Sequence, residues 1–250
     1  MYSLFVGKNR VHLAETDSTN NYAFQLLKER NQPDGTLVTA TLQYGGRGQR
    51  GNNWLSAAGL NFTGSYIFHP VFLAANHQFW LNKAVANAVA DSISQFLPLA
   101  NVKIKWPNDI LVNKKKVAGI LMESQISGNQ ISNVVVGIGV NINQTNLPEA
   151  TFSATSILLE TEKETDLEFF TQILSEHLEV RYLQTKVGNY SKIDADYQNR
   201  LFGKNQMMNF ELKGALKEGI VLEVDVNGQL VMEVAGELKR FSNGEIKLVV

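Results

Sequence analysis

Two arginines stand in a seven-residue stretch that also holds four glycines, Gly45-Gly46-Arg47-Gly48-Gln49-Arg50-Gly51. Glycines let backbone N–H groups converge on an anion, and a guanidinium offers a planar fork for phosphate or carboxylate oxygens. A pliable segment with two fixed cations can close over a polyanion, and each charge gains strength as water leaves. The stretch also satisfies G-x-G-x-x-G, but a dinucleotide site needs a helix to open directly after the glycines. Here GNNWLSAAGL follows, a poor helix start. Taken alone, the stretch reads equally well as a surface loop with solvated arginines.

Three further clusters carry usable chemistry. In Lys103-Ile104-Lys105-Trp106-Pro107-Asn108-Asp109 the two lysines share one strand face, and Trp-Pro ends the strand. Asn108 and Asp109 then sit at a turn, where Asp109 either bonds the backbone or places a carboxylate near a metal-bound nucleotide or a cation. Lys114, Lys115 and Lys116 form a charged turn, usually a solvated tip. Lys116 begins an apolar strand and is the one that can point along the sheet into a site. In Gly137-Ile138-Gly139-Val140-Asn141 the glycines admit another backbone or a flat ring. Asn141 offers a donor and an acceptor, suited to an adenine or amide edge, while simple strand packing stays open. His12, His69, His77 and His177 have no metal-ligand spacing, and no Walker, HExxH or Ser-His-Asp pattern occurs.

The elements that must position these residues alternate between helical and strand periods. Residues 11–44 read strand, helix, strand, with Asp17, Ser18, Thr19 and Asn20 at the helix entry. A strand is expected near Leu60–His69 and a helix over 77–97. Strand-like runs follow at Val102–Trp106, Asp109–Val112 and Val117–Gln125, then the buried strand NVVVGIGVNIN. Thr165-x-x-Glu168 is a capping box opening a helix to about Lys186. After Gly203 short alternating runs appear, with Asn227-Gly228 as a hairpin signal and Asn243-Gly244 as another turn. The expectation is an α+β fold: a mixed sheet packed with helices over 1–202, and a small β-barrel or sandwich over 203–250.

The chain has 250 residues, 44% hydrophobic, with net charge −1 and no cysteine. The charge gives no bulk electrostatic case for nucleic acid or an anionic membrane. The missing cysteines exclude disulfides and thiolate chemistry and fit a cytoplasmic protein. The N-terminus lacks a signal-peptide apolar region, and no apolar run approaches membrane-spanning length.

In order and spacing, DSTN at 17–20, GGRGQRG followed by NNW, KWPND at 105–109, KVAGIL at 116–121, GIGVNIN at 137–143 and the ending NGEIKL resemble the biotin–protein ligases. The resemblance implies the biotin–lipoate ligase (class II synthetase-like) fold with a C-terminal SH3-like barrel. It implies a monofunctional chain without a DNA-binding domain, and it leaves a homodimer through sheet edges open. It implies two steps: biotin and MgATP form biotinyl-5′-adenylate, and a lysine of a biotin carboxyl carrier protein domain then takes the biotinyl group. Lys116, Arg47 and Asp109 would be catalytic. Ser18, Thr19, Asn20, Gln43, Gly46, Arg47, Gly48, Lys116 and Gly119 would bind biotin. Arg47, Arg50, Trp54, Asn108, Lys116 and Asn141 would bind ATP and the adenylate, with Mg2+ on the ATP phosphates. Gln49 stands where the family often has a second arginine, so retention of the adenylate would depend more on Arg47 and Arg50. A lipoate–protein ligase or lipoyl/octanoyl transferase is the nearest rival on the same fold.

Overall fold

In the computed structural model, which describes residues 3–29, 32–147 and 153–249, seven strands form one mixed sheet in the order β1-β2-β3-β7-β6-β5-β4. These are β1 (Arg10–Thr16), β2 (Thr36–Gln43), β3 (Phe62–Phe68), β4 (Val102–Lys105), β5 (Asp109–Val112), β6 (Lys115–Ser127) and β7 (Gln130–Val140). β1 and β2 pair in parallel, which requires a crossover; helix α1 (Thr19–Glu29) supplies it. The remaining pairs of the sheet are antiparallel.

Strand alternation sorts the core. Phe62, Tyr66 and Phe68 of β3 join the main apolar cluster with helices α2 (Gln78–Phe96) and α4 (Leu167–Lys186). Ile67 turns to the opposite face and meets Ala23 and Leu26 of α1, Val38 and Val135. On this second face α1 packs across β2, β3 and β7. The same face continues over β6, β5 and β4 as the floor of a cleft.

Two short helices, α3 (Ile157–Thr161) and α5 (Tyr190–Arg200), complete the helical set. The capping box expected at Thr165 is not the cap of α4. Asp166 takes that place, its carboxylate accepting from the Phe169 N–H at 2.6 Å. Thr165 is held elsewhere, its N–H and carbonyl bonded to the Asn143 side chain. Glu168 pairs with Arg10.

The C-terminal strands β8 (Met207–Leu212), β9 (Ala215–Val224), β10 (Leu230–Val234), β11 (Glu237–Phe241) and β12 (Ile246–Leu248) form a separate antiparallel sheet in the order β11-β10-β9-β8-β12. The expected barrel is corrected here: β11 and β12 are the two edges of an open sheet among the described residues. Packing against the larger unit replaces closure. Phe210, Val221, Leu230, Met232 and Leu248 belong to the same apolar cluster as α2 and the large sheet.

Candidate active site

The cleft floor is a single row of residues running across five strands. Lys105 pairs with Asp109, Asp109 with Gly119, Gly119 with Gly139, and Gly139 with Thr63. Directly opposed residues point to one face of a sheet. A cation, an anion, two bare backbone positions and a hydroxyl therefore lie side by side. The cleft above them has a volume of about 1040 Å³. Its walls are the start of α1, the glycine-rich segment, and the small sheet with Phe241, Gly244 and Lys247.

At the two central glycines a flat ring does approach the backbone, and it is the chain's own Trp54. A Cβ at Gly139 would overlap its indole, and one at Gly119 would lie 3.1 Å from its Cζ3 atom. The Trp54 Nε1 is buried with no hydrogen-bond partner among the described residues. Lys116 Nζ lies 5.6 Å from the Trp54 ring centroid and 2.6 Å from Asp109 Oδ1. The sequence segment carrying Trp54 reaches the floor because the glycine-rich stretch folds back on itself. Trp54 N–H donates to the Gly46 carbonyl at 2.8 Å, and Gly48 N–H to the Asn52 carbonyl at 2.6 Å. A Cβ at Gly46 would collide with the Trp54 carbonyl, so this turn requires glycine there.

A neutral polar pocket flanks the floor. Gln43 Oε1 accepts from the Thr19 N–H at 2.8 Å and from its hydroxyl at 3.1 Å. Ser65 Oγ is within hydrogen-bond distance of Thr19 Oγ1 (2.7 Å) and Asn20 Oδ1 (2.6 Å). Asn20 Nδ2 donates to Glu123 Oε2 at 2.8 Å, and the same oxygen receives Arg47. A bonded chain thus runs from the β2 end through α1 and β3 to Arg47.

Ser18, Thr19, Asn20, Gln43, Arg47, Gly48, Arg50, Trp54, Asn108, Asp109, Lys116 and Gly119 all line the cleft. Two expected residues do not. Gly46 is occupied with the turn, and Asn141 is buried behind the floor, its amide donating to the Thr155 carbonyl at 3.0 Å. Asn108 lines the cleft while its amide is pinned to the Ile120 carbonyl at 2.8 Å. Arg50 reaches across to the small sheet and donates to the carbonyls of Asn243 and Gly244.

Three residues escaped the sequence reading as site members. Lys105 carries the alternation signal it shares with Lys103, but its burial was invisible. Removal from water pushes its ammonium down to about 8, with Asp109 opposing and Lys116 and Lys247 adding repulsion. Glu123 follows Gly119 and Leu121 at every second position of β6, the one trace that puts it on the cleft face. Ser65 had no signal of its own.

Known proteins are similar to the chain in sequence and in fold. The profile described as Biotin/lipoate A/B protein ligase family matches residues 13–141. The bifunctional ligase/repressor BirA of Bacillus subtilis is 30% identical over 247 residues, 97% of this chain and 75% of that protein. The biotin–[acetyl-CoA-carboxylase] ligase of Paracoccus denitrificans is 42% identical over 133 residues, 52% of this chain and 53% of its own. In fold, the biotin protein ligase of Aquifex aeolicus, solved in complex with biotin and ATP, superposes with a TM-score of 0.80 at 24% identity, covering 96% of this chain and 98% of that one. With its motifs gathered on one cleft and this similarity running almost end to end, the chain belongs to the biotin/lipoate A/B protein ligase family.

Proposed function

We propose that the chain joins biotin to ATP as biotinyl-5′-adenylate and passes the biotinyl group to one lysine of a biotin carboxyl carrier protein domain. The observation that carries this reading is the meeting in one cleft of a neutral polar pocket, Ser18, Thr19, Asn20 and Gln43, with a cationic set, Arg47, Arg50, Lys105 and Lys116. Relatives named biotin–[acetyl-CoA-carboxylase] ligase support the choice of substrate.

In the first step a biotin carboxylate oxygen attacks the α-phosphorus, and pyrophosphate leaves. Two anions must meet, so cations have to offset their repulsion. Lys116 stands where it can leave Asp109 for the phosphate, and Arg47 and Arg50 close from above. Ser18, Thr19, Asn20 and Gln43 would hold the ureido ring, with Gly119 and Gly48 allowing close approach. Trp54 and Asn108 would border the adenylate, and Asp109 would orient Lys116. In the second step the carrier amine attacks the acyl carbon and AMP leaves. A labile anhydride calls for a site that keeps water out until then.

MgATP is the substrate form in this reading. Mg2+ takes one or two carboxylates beside phosphates and water; Asp109, Glu211 and Glu245 line the cleft, with Glu123 at its edge. No three His, Asp or Glu side chains gather as a metal site among the described residues. None of the described helices is long and apolar enough to cross a membrane, and a cytoplasmic setting fits an ATP-using carrier modification. Pyrophosphate release with ATP and either biotin or lipoate tests the proposal. Release with biotin is expected; release with lipoate alone would move the chain to the other branch of its family.

A further inference from the structure

We infer that Glu123 is a positioning residue for Arg47: its carboxylate holds the guanidinium at the cleft edge and yields it to the ligand's anion. The inference rests on the reading that Arg47 meets the phosphate of the adenylate. Glu123 lies on β6, paired with Val135 of β7, which puts its side chain on the face that carries α1 and the cleft. One carboxylate oxygen, Oε2, serves two donors, Asn20 Nδ2 at 2.8 Å and Arg47 Nη2. Asn20 is itself fixed through Ser65 to Thr19 and Gln43. Glu123 therefore joins the polar pocket to the cation of the glycine-rich segment.

The pair is built for exchange. The side chains of Arg47 and Glu123 are 40% and 32% exposed, and ion pairs in contact with water hold weakly. A phosphate with water excluded is the stronger partner for a guanidinium. Arg47 thus starts at the rim, restrained, and changes anions when the adenylate occupies the cleft. Bound this way, Glu123 competes with the ligand for one cation.

Glu123→Gln separates the charge from the geometry, since the amide oxygen still accepts from Asn20. The probes are an acyl-sulfamate analogue of the adenylate, which is anionic, and biotinol, which is neutral. Glu123→Gln should bind the analogue about two- to fivefold more tightly than the parent, the range of a half-exposed ion pair, and bind biotinol unchanged. Trypsin should nick the ligand-free variant at Arg47 faster, and the gain in affinity should vanish in the Arg47→Ala background. Glu123→Asp, which keeps the charge on a shorter arm, should fall between parent and Gln variant and serves alone if the latter does not fold. Analogue binding that is unchanged or weaker overturns the inference, as does an equal gain for biotinol, which would trace the effect to the pocket. Arg47→Ala binding the analogue as the parent does would instead remove Arg47 from the proposed site.

Discussion

At the residue scale, the cations of the cleft already have partners in the protein. Arg47 has Glu123, Lys116 has Asp109, and Arg50 has two backbone carbonyls. On the proposed function, these partners would be exchanged for the developing charge at phosphorus. Removing one such preorganised charge costs on the order of 3 kcal/mol at the transition state, a hundredfold or more in rate. Lys116→Ala should lose adenylate formation to that extent while the protein stays folded, as read by pyrophosphate release beside a urea melt. Lys105 gives a pH prediction. Its ammonium is depressed from an ordinary 10.5 to about 8, chiefly by burial, so the unfolded chain binds more protons across that interval. The stability contributed by Lys105 thus rises with pH across that window, and Lys105→Met should stabilise the ligand-free chain most below pH 8. A phosphate arriving beside Lys105 favours its charged form. Binding of MgATP with biotin at pH 8 should therefore take up protons, measured calorimetrically in buffers of different ionisation enthalpy, and Lys105→Met should lose that uptake.

At the element scale, the floor depends on register. Gly119 and Gly139 were legible as bare backbone positions because each sits in a strand pattern where glycine needs a reason. That they face each other, and that Trp54 lies on them, was not legible, since pairing across β6 and β7 is a long-range choice the local pattern leaves open. The same limit applies to Asn141, whose donor and acceptor were legible but whose bond to the Thr155 carbonyl was not. Helix α5 left little periodic signal, burying only Ile193, Tyr197 and Gln198. The turns at Lys213-Gly214 and Ala235-Gly236 use positive φ at a non-glycine residue as well as at the glycine, so the first position of each gave no cue. Gly139→Ala tests the floor. Gly139 has no positive φ, so the new methyl acts on the indole alone. The expected outcome is a folded protein with Trp54 displaced and its emission shifted, less stable in a urea melt by roughly the 1–3 kcal/mol that overpacking costs.

At the scale of the molecule, the small sheet is tied to the large unit at two places, one apolar and ionic, the other at the cleft. Lys83 on α2 is 1% exposed and bonds both Asp194 Oδ1 (2.6 Å) and the Val224 carbonyl of β9 (2.7 Å). Gln198 grips the same Val224 through its carbonyl and N–H. Burial pushes the Lys83 ammonium down while Asp194 holds it up. Asp194→Ala should cost about 1–3 kcal/mol at neutral pH, because it removes the hydrogen-bonded counterion of a buried ammonium and leaves it only the more distant Asp225 and Glu223. The loss should shrink as pH rises, since the folded chain then sheds the Lys83 proton before the unfolded one; urea melts at pH 7 and pH 9.5 read both. At the cleft, Arg50 and Gln49 dock on the Asn243-Gly244 turn, so the glycine-rich segment is anchored to the unit that walls the cleft. On the proposed function these cations leave their protein partners for the activated intermediate, and a crystal structure with biotinyl-5′-adenylate formed in place shows whether they do. Arg47 should stand off Glu123 and Lys116 off Asp109, both within hydrogen-bond distance of the adenylate's phosphate. The intermediate seated in the cleft with both ion pairs intact would rule the exchange out.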